Sequence, residues 1–245
     1  MNCEEKTLGK AVLVLLVRED KILLAWKPKS ESGKRKIGEE SWNGPGGGIE
    51  EGEGPLIAAI REPSEELKIK INRADLQRVA ILHFQNVKSD GSKFLCVVYV
   101  FMASNWEGEP QASKEMTDPT FFEIGNIPFD EMMPADRHWL PLVLRGEKII
   151  AEATLGPGQK TLLSEVVIRP MKRTMDCEIC GEMDINPIVI LPISNGKGAY
   201  NTLACEKCAR ESGCYCEKHK RPHIALAGGG TRCVCCYEGL PEVRE

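Results

Sequence analysis

The 245-residue sequence predicts an α+β fold, a mixed sheet sandwiched by a few helices, followed by a small cysteine-rich unit. Three observations carry this reading. Short runs rich in Val, Leu and Ile stand on both sides of one amphipathic helical stretch, which puts strands before and after a central helix. A second, shorter helical stretch follows later in the same region. Nine of the eleven cysteines fall between Cys177 and Cys236, so the composition changes near residue 170. The domain boundary is set there, giving a first domain over 1–170 and a second over 171–245.

Lys10 to Val17 and Lys21 to Trp26 are apolar runs joined by a charged turn, and they read as a hairpin of buried strands. Pro28 to Glu40 is polar, basic and glycine-containing, which predicts a surface loop able to overhang a bound molecule. Trp42 to Gly48 leads into the central helix, predicted from about Pro55 to Leu67, with Pro55 acceptable in its first turn. Leu76 to Val87 and Lys93 to Ala103 read as strands around a Ser89-Asp90-Gly91-Ser92 turn. Thr120 to Ile124 reads as another short strand. Ile127 to Met133 and Asp136 to Leu144 read as short helical segments separated by Pro134, the second made irregular by Pro141. Lys148 to Leu155 and Lys160 to Arg169 read as a hairpin about Gly156-Pro157-Gly158.

The stretch from Gly47 to Ile69 carries the chemistry. Glu62, Glu65 and Glu66 stand at i, i+3 and i+4, so on a helix they share one face. Like charges in that geometry repel, and folding alone does not ask for them. A hard divalent cation does, because it takes clustered oxygen ligands together with substrate phosphates. Leu56, Ile60 and Leu67 are predicted to mark the opposite, core-facing side. Gly44, Gly46, Gly47 and Gly48 are read as letting the backbone approach phosphates closely. Pro63 opposes this reading, since a proline inside a helix removes a hydrogen bond and costs about 3 kcal/mol. One alternative is a helix that breaks after Glu62 and restarts at Pro63.

With Gly47, Glu53, Arg61, Glu62, Glu65 and Glu66 in place, this stretch resembles the Nudix box; Pro63 fills an aliphatic slot and Lys68 a glycine slot. Residues 8–169 are similar to the MutT-type sanitising hydrolases through Ser41-Trp42-Asn43-Gly44-Pro45-Gly46-Gly47 and through the run from Ile127 to Asp136. His138-Trp139-Leu140-Pro141-Leu142 extends the likeness. The resemblance implies an α/β/α sandwich and Mg2+- or Mn2+-dependent hydrolysis of oxidised purine nucleoside triphosphates, 8-oxo-dGTP among them. The products would be a monophosphate and pyrophosphate, a nucleotide-sanitation role. It adds the Gly46 carbonyl and Glu115 to the glutamate ligands and makes Glu66 the residue that activates water through the metal. Arg61 is expected to fix the loop by pairing with Glu53.

The same resemblance places Asn43 and Asp136 at purine-reading positions, Phe84 as an apolar wall and Lys27 near the pocket mouth. Pro45, Gly46, Gly47 and Gly48 would run along the substrate. Met133 stands where that family branch has a tryptophan, and Ala135 where it has the first of two aspartates, which weakens base discrimination. Dinucleotides, capped RNA and a non-catalytic nucleotide adaptor are the alternative readings.

Four pairs with two intervening residues mark the second domain: Cys177/Cys180, Cys205/Cys208, Cys216/His219 and Cys233/Cys236. Eight such ligands suffice for two closed, structural zinc sites, paired either sequentially or crosswise as in RING and FYVE folds, which the order resembles. Ten Lys/Arg against ten Asp/Glu over 171–245 leave no general basic surface, so a protein partner or self-association is favoured over nucleic acid. The whole-chain charge of −4 gives the same message. Hydrophobic residues at 42% and charged residues at 28% are ordinary for a soluble protein, and the apolar run from Ala11 to Val17 is too short to span a membrane. A cytoplasmic location is the expectation.

Overall fold

The computed structural model describes residues 7–30 and 36–171 in full, and backbone strands at 4–5, 34–35 and six short segments between 189 and 232. The chain divides into two compact units, one over 1–51 and 57–172, the other over 52–56 and 173–245.

The first unit is built on one eight-stranded mixed sheet. Its strands are β1 (Lys10–Arg18), β2 (Lys21–Lys27), β3 (Ser41–Asn43), β4 (Gln77–Val87), β5 (Lys93–Ala103), β6 (Thr117–Glu123), β7 (Ile149–Leu155) and β8 (Val167–Pro170). The order is β8-β7-β4-β5-β1-β2-β3, with β6 also on β2. Two parallel pairs, β1 with β5 and β4 with β7, make the sheet mixed. Helix α1 (Pro55–Leu67) follows β3, and α2 (Asp136–Leu144) precedes β7. Trp139, Leu140 and Val143 of α2 join Leu15, Ile22, Leu24, Leu82 and Val100 of the strands in the main core. Each such burial removes enough apolar surface to stabilise by about 1.5–3 kcal/mol.

The hairpin of β1 and β2, the central helix and the strands around Gly91 stand as the sequence predicts. Gly91 takes φ 81° in the β4–β5 turn, where Ser92 donates its amide to Asp90 Oδ1 at 2.8 Å. One strand is added to those expected and three expectations are corrected. Ser41–Asn43 is a strand, too short to show an apolar run but anchored by Trp42, whose ring meets Trp26 at 5.7 Å and Phe122 at 5.0 Å. The segment over 127–133 contains only a single 3-10 turn at Phe129–Glu131, because Pro128 and Pro134 bracket it. The last strands do not form a tight hairpin: Val167 pairs with Glu152, and residues 156–166 make a 3-10 turn and an isolated bridge between Leu155 and Leu162. Finally, Ile60 is only half-buried, whereas Ala58 and Ala59 are fully buried.

Helix α1 runs continuously through Pro63, so the proposed break after Glu62 does not occur. Its end is well defined. Lys68 adopts φ 60° and Ile69 donates to the Pro63 carbonyl at 3.4 Å, closing a seven-residue turn at the helix C-terminus. This left-handed position is where glycine is free of a Cβ penalty.

In the second unit, β9 (Val189–Ser194) and β10 (Ala199–Ala204) pair antiparallel with Val189 opposite Ala204. Cys177, Cys180, Cys205, Cys208, His219, Cys233 and Cys236 lie outside the described residues, and Cys216 is placed only as backbone in a two-residue strand. Among the described residues, no helix is long and apolar enough to cross a membrane.

Lys68→Gly is expected to raise the unfolding free energy by about 1 kcal/mol, the relief of the left-handed Cβ strain. Chemical denaturation would show this as a higher midpoint at unchanged slope; a lower midpoint would mean that the Lys68 amine, bonded to the Glu65 carbonyl at 2.8 Å, matters more than the strain.

Candidate active site

The glycine-rich segment after β3 runs back along β1. Val14 donates to the Pro45 carbonyl and Val12 to the Gly47 carbonyl, each at 2.9 Å. A Cβ on Gly44 or Gly46 would collide with the carbonyls of Val14 or Val12, and one on Gly47 with the carboxylate of Glu62. These glycines are therefore required by the protein itself, to let the loop lie against β1 and to seat a helix side chain. Contacts within the protein thus account for Gly44, Gly46 and Gly47 without any phosphate.

Helix α1 presents Ala59, Glu62, Pro63 and Glu66 on its buried side, at i, i+3, i+4 and i+7. Glu62 and Glu66 are 8% and 4% exposed, so these two do not stand opposite the core as the sequence suggests, whereas Glu65 is exposed. Glu66 Oε2 accepts the Gly46 amide at 2.8 Å. Arg61 donates through one nitrogen to Glu62 at 2.9 Å and to Glu65 at 3.0 Å, and through another to the Gly48 carbonyl at 3.1 Å. It thus ties helix to loop. Glu53 is half-buried just before α1. Lys27 Nζ reaches the Gly46 carbonyl at 3.5 Å, and exposed Glu115 pairs with Lys36 at 2.9 Å.

Burial pushes the Glu66 carboxyl up to about 7; Lys27 and the Gly46 amide oppose this, and the charges of Glu62 and Glu115 add to it. Glu62 is also raised, chiefly by burial, with Arg61 opposing. Among the described residues, no three His, Cys, Asp or Glu side chains form a ready-made ligand cluster. The reason is visible in the contacts: Arg61 spans Glu62 and Glu65, and Lys36 holds Glu115. The donor set nevertheless fits a hard cation, because it is all oxygen and its carboxylates repel one another.

One cleft of about 710 Å³ joins this cluster to a second group of residues. It is lined by Lys27, Asn43, Gly46, Gly47, Gly48, Glu62, Glu65, Glu66, Glu115, Phe84, Met133 and Asp136, so nearly every site residue expected from the sequence meets there. Pro45 is buried beside them, and Glu53 is not part of the wall. Asn43 Oδ1 accepts the Gly44 amide at 3.0 Å. Gly38, at φ 71°, packs so closely that a Cβ there would stand 3.2 Å from Asn43 Nδ2 and 3.5 Å from Met133 Sδ. Lys160 clamps this loop by bonding the carbonyls of Glu39 and Glu40 at 2.9 and 3.1 Å.

Asp136 is buried at the start of α2 and accepts Trp139 Nε1 at 2.9 Å. Burial pushes its carboxyl up to about 7, against the pull of the Trp139 and Met133 hydrogen bonds. The sequence reading missed Asn86 and Cys96 as lining residues. Asn86 had a signal, as the polar member of the alternating trio Leu82, Phe84, Asn86.

A family model described as the NUDIX domain matches residues 7–143. An oxidized purine nucleoside triphosphate hydrolase from Danio rerio is 36% identical over 138 residues, 56% of this chain and 81% of the relative. The protein of the same description from Mus musculus is 35% identical over 152 residues, 62% of this chain and 89% of the relative. The crystal structure of a MutT protein from Bacillus halodurans aligns with TM-score 0.54 at 22% identity, covering 67% of this chain and 100% of that one, a likeness of fold.

The fold keeps the Asp136 proton until about pH 7, whereas the unfolded chain releases it near 3.8. The stability owed to this group is therefore complete below pH 4 and lost as pH rises toward 7, at about 1.4 kcal/mol per unit. Urea unfolding between pH 4 and 7 should show a shallower decline for Asp136→Asn than for the parent. Equal slopes would show that Asp136 is ionised in the fold.

Proposed function

The chain belongs to the NUDIX domain family and is a hydrolytic enzyme, and from that premise we propose that its substrates are purine nucleoside triphosphates, oxidised ones above all. The products are the nucleoside monophosphate and pyrophosphate. One observation carries the reading: α1 stays whole through Pro63 and brings Glu62 and Glu66 to consecutive glycines, at one end of a cleft that also holds Asn43 and Asp136. The relatives at 35% and 36% identity, described as oxidized purine nucleoside triphosphate hydrolases, support the substrate class.

Glu62, Glu65, Glu66, Glu115 and the Gly46 carbonyl are the groups that would hold Mg2+ or Mn2+. Such an ion, when bound, neutralises phosphate charge and acidifies water. The chain's own residues do the rest. Arg61 orients Glu62 and Glu65 and keeps the Gly48 carbonyl in place. Glu66, held by the Gly46 amide, suits a base for the attacking water. Leu82, Phe84 and Val98 supply an apolar wall that excludes water from the base. Asn43 and Asp136 offer an amide and a carboxyl that is about half-protonated near pH 7, able to donate as well as accept.

Purified protein with Mg2+ should be offered normal and oxidised purine triphosphates, dinucleotides and capped RNA. Pyrophosphate release from the triphosphates, reduced at least a hundredfold in Glu66→Gln, is the expected result. Turnover of dinucleotides or caps in preference would overturn the substrate class. Metal analysis of the same protein is expected to find about two zinc ions per chain, and none would remove the zinc reading of the cysteine pairs.

A further inference from the structure

Asn86, on β4, is 2% exposed and lines the cleft. Its Nδ2 donates to the Phe84 carbonyl at 3.0 Å, and since a carbonyl can only accept, the orientation of the amide is fixed. Oδ1 is left buried with no hydrogen-bond donor. Buried amide oxygens are nearly always paired, because an unpaired one has lost water and gained nothing. Trp106 Nε1 is in the same condition but lies outside the cleft.

The surroundings give this oxygen a direction. Leu82, Phe84 and Asn86 share one face of β4, and Val98 and Cys96 of β5 stand opposite Leu82 and Phe84. The part of the cleft wall made by β4 and β5 is therefore apolar except for one amide. Ligand pockets orient flat apolar groups in this way, with few polar atoms on an apolar wall.

We propose that Asn86 is a specificity-determining residue whose Oδ1 accepts an N–H of the substrate base. This deepens the purine triphosphate reading and rests on it. A base that presents an N–H to Oδ1 satisfies it, while one that presents a lone pair leaves two acceptors facing each other. The position selects by donor pattern and takes no part in phosphate chemistry.

The test is calorimetric binding of 8-oxo-dGMP, which carries the base without a scissile bond, to the full chain and to Asn86→Leu, alongside thermal unfolding. Binding at least tenfold weaker in Asn86→Leu, with a melting temperature equal to or above the parent, is expected: a merely structural asparagine would lower it. Inorganic pyrophosphate with Mg2+ should bind both proteins alike. Equal 8-oxo-dGMP affinity in the two proteins, or an equal loss for pyrophosphate, would overturn the proposal while leaving the purine reading intact. No 8-oxo-dGMP binding by the parent would overturn both. Should Asn86→Leu fail to fold, Asn86→Ala provides the same comparison.

Discussion

Val12 and Val14 donate their amides to the carbonyls of Gly47 and Pro45, and this short ladder positions the whole site. A loop can lie so close to a strand only where side chains are absent, hence Gly44 and Gly46. With the loop held, the Gly46 amide points to Glu66 and Gly47 leaves space for Glu62. The two carboxylates are brought together by backbone geometry on the loop side and by helix periodicity on the other. Neither constraint suffices alone.

The cost of that arrangement is electrostatic. Burial, with a smaller push from the charges of Glu62 and Glu115, makes Glu66 hold its proton toward neutral pH. Arg61 and Lys36 relieve part of the repulsion by pairing with Glu62, Glu65 and Glu115. A divalent cation held there, as proposed above, would relieve the remainder. Elsewhere in the cleft, Asp136 keeps its proton for the same main reason, burial, here beside Trp139 and with no carboxylate adding to it.

Much of the fold was legible because the long elements have strong periods: the apolar hairpins and the helix from Pro55 to Leu67 follow from pattern and turn chemistry. The spacing of Glu62, Glu65 and Glu66 likewise announced a shared face. Which face it was did not follow, since Ala58, Ala59 and Pro63 give no clear contrast between core and solvent. Ser41–Asn43 was hidden because three residues show no alternation, and its place depends on Trp42 meeting Trp26 and Phe122 across the sheet. The purpose of Gly44, Gly46 and Gly47 needs coordinates too, because a sequence shows that a residue is small and not what it lies against. Pro63 looked disruptive because propensity was weighed alone, and the helix runs through it with the side chain buried.

If Gly47 seats Glu62 so that the carboxylates act as one cation-binding group, filling its space must weaken that binding. Mn2+ binding, followed by electron paramagnetic resonance on the parent and on Gly47→Ala, measures this directly. Binding in Gly47→Ala is expected to be at least tenfold weaker, about 1.4 kcal/mol, with an unchanged circular dichroism spectrum. Equal affinity in the two proteins would contradict it.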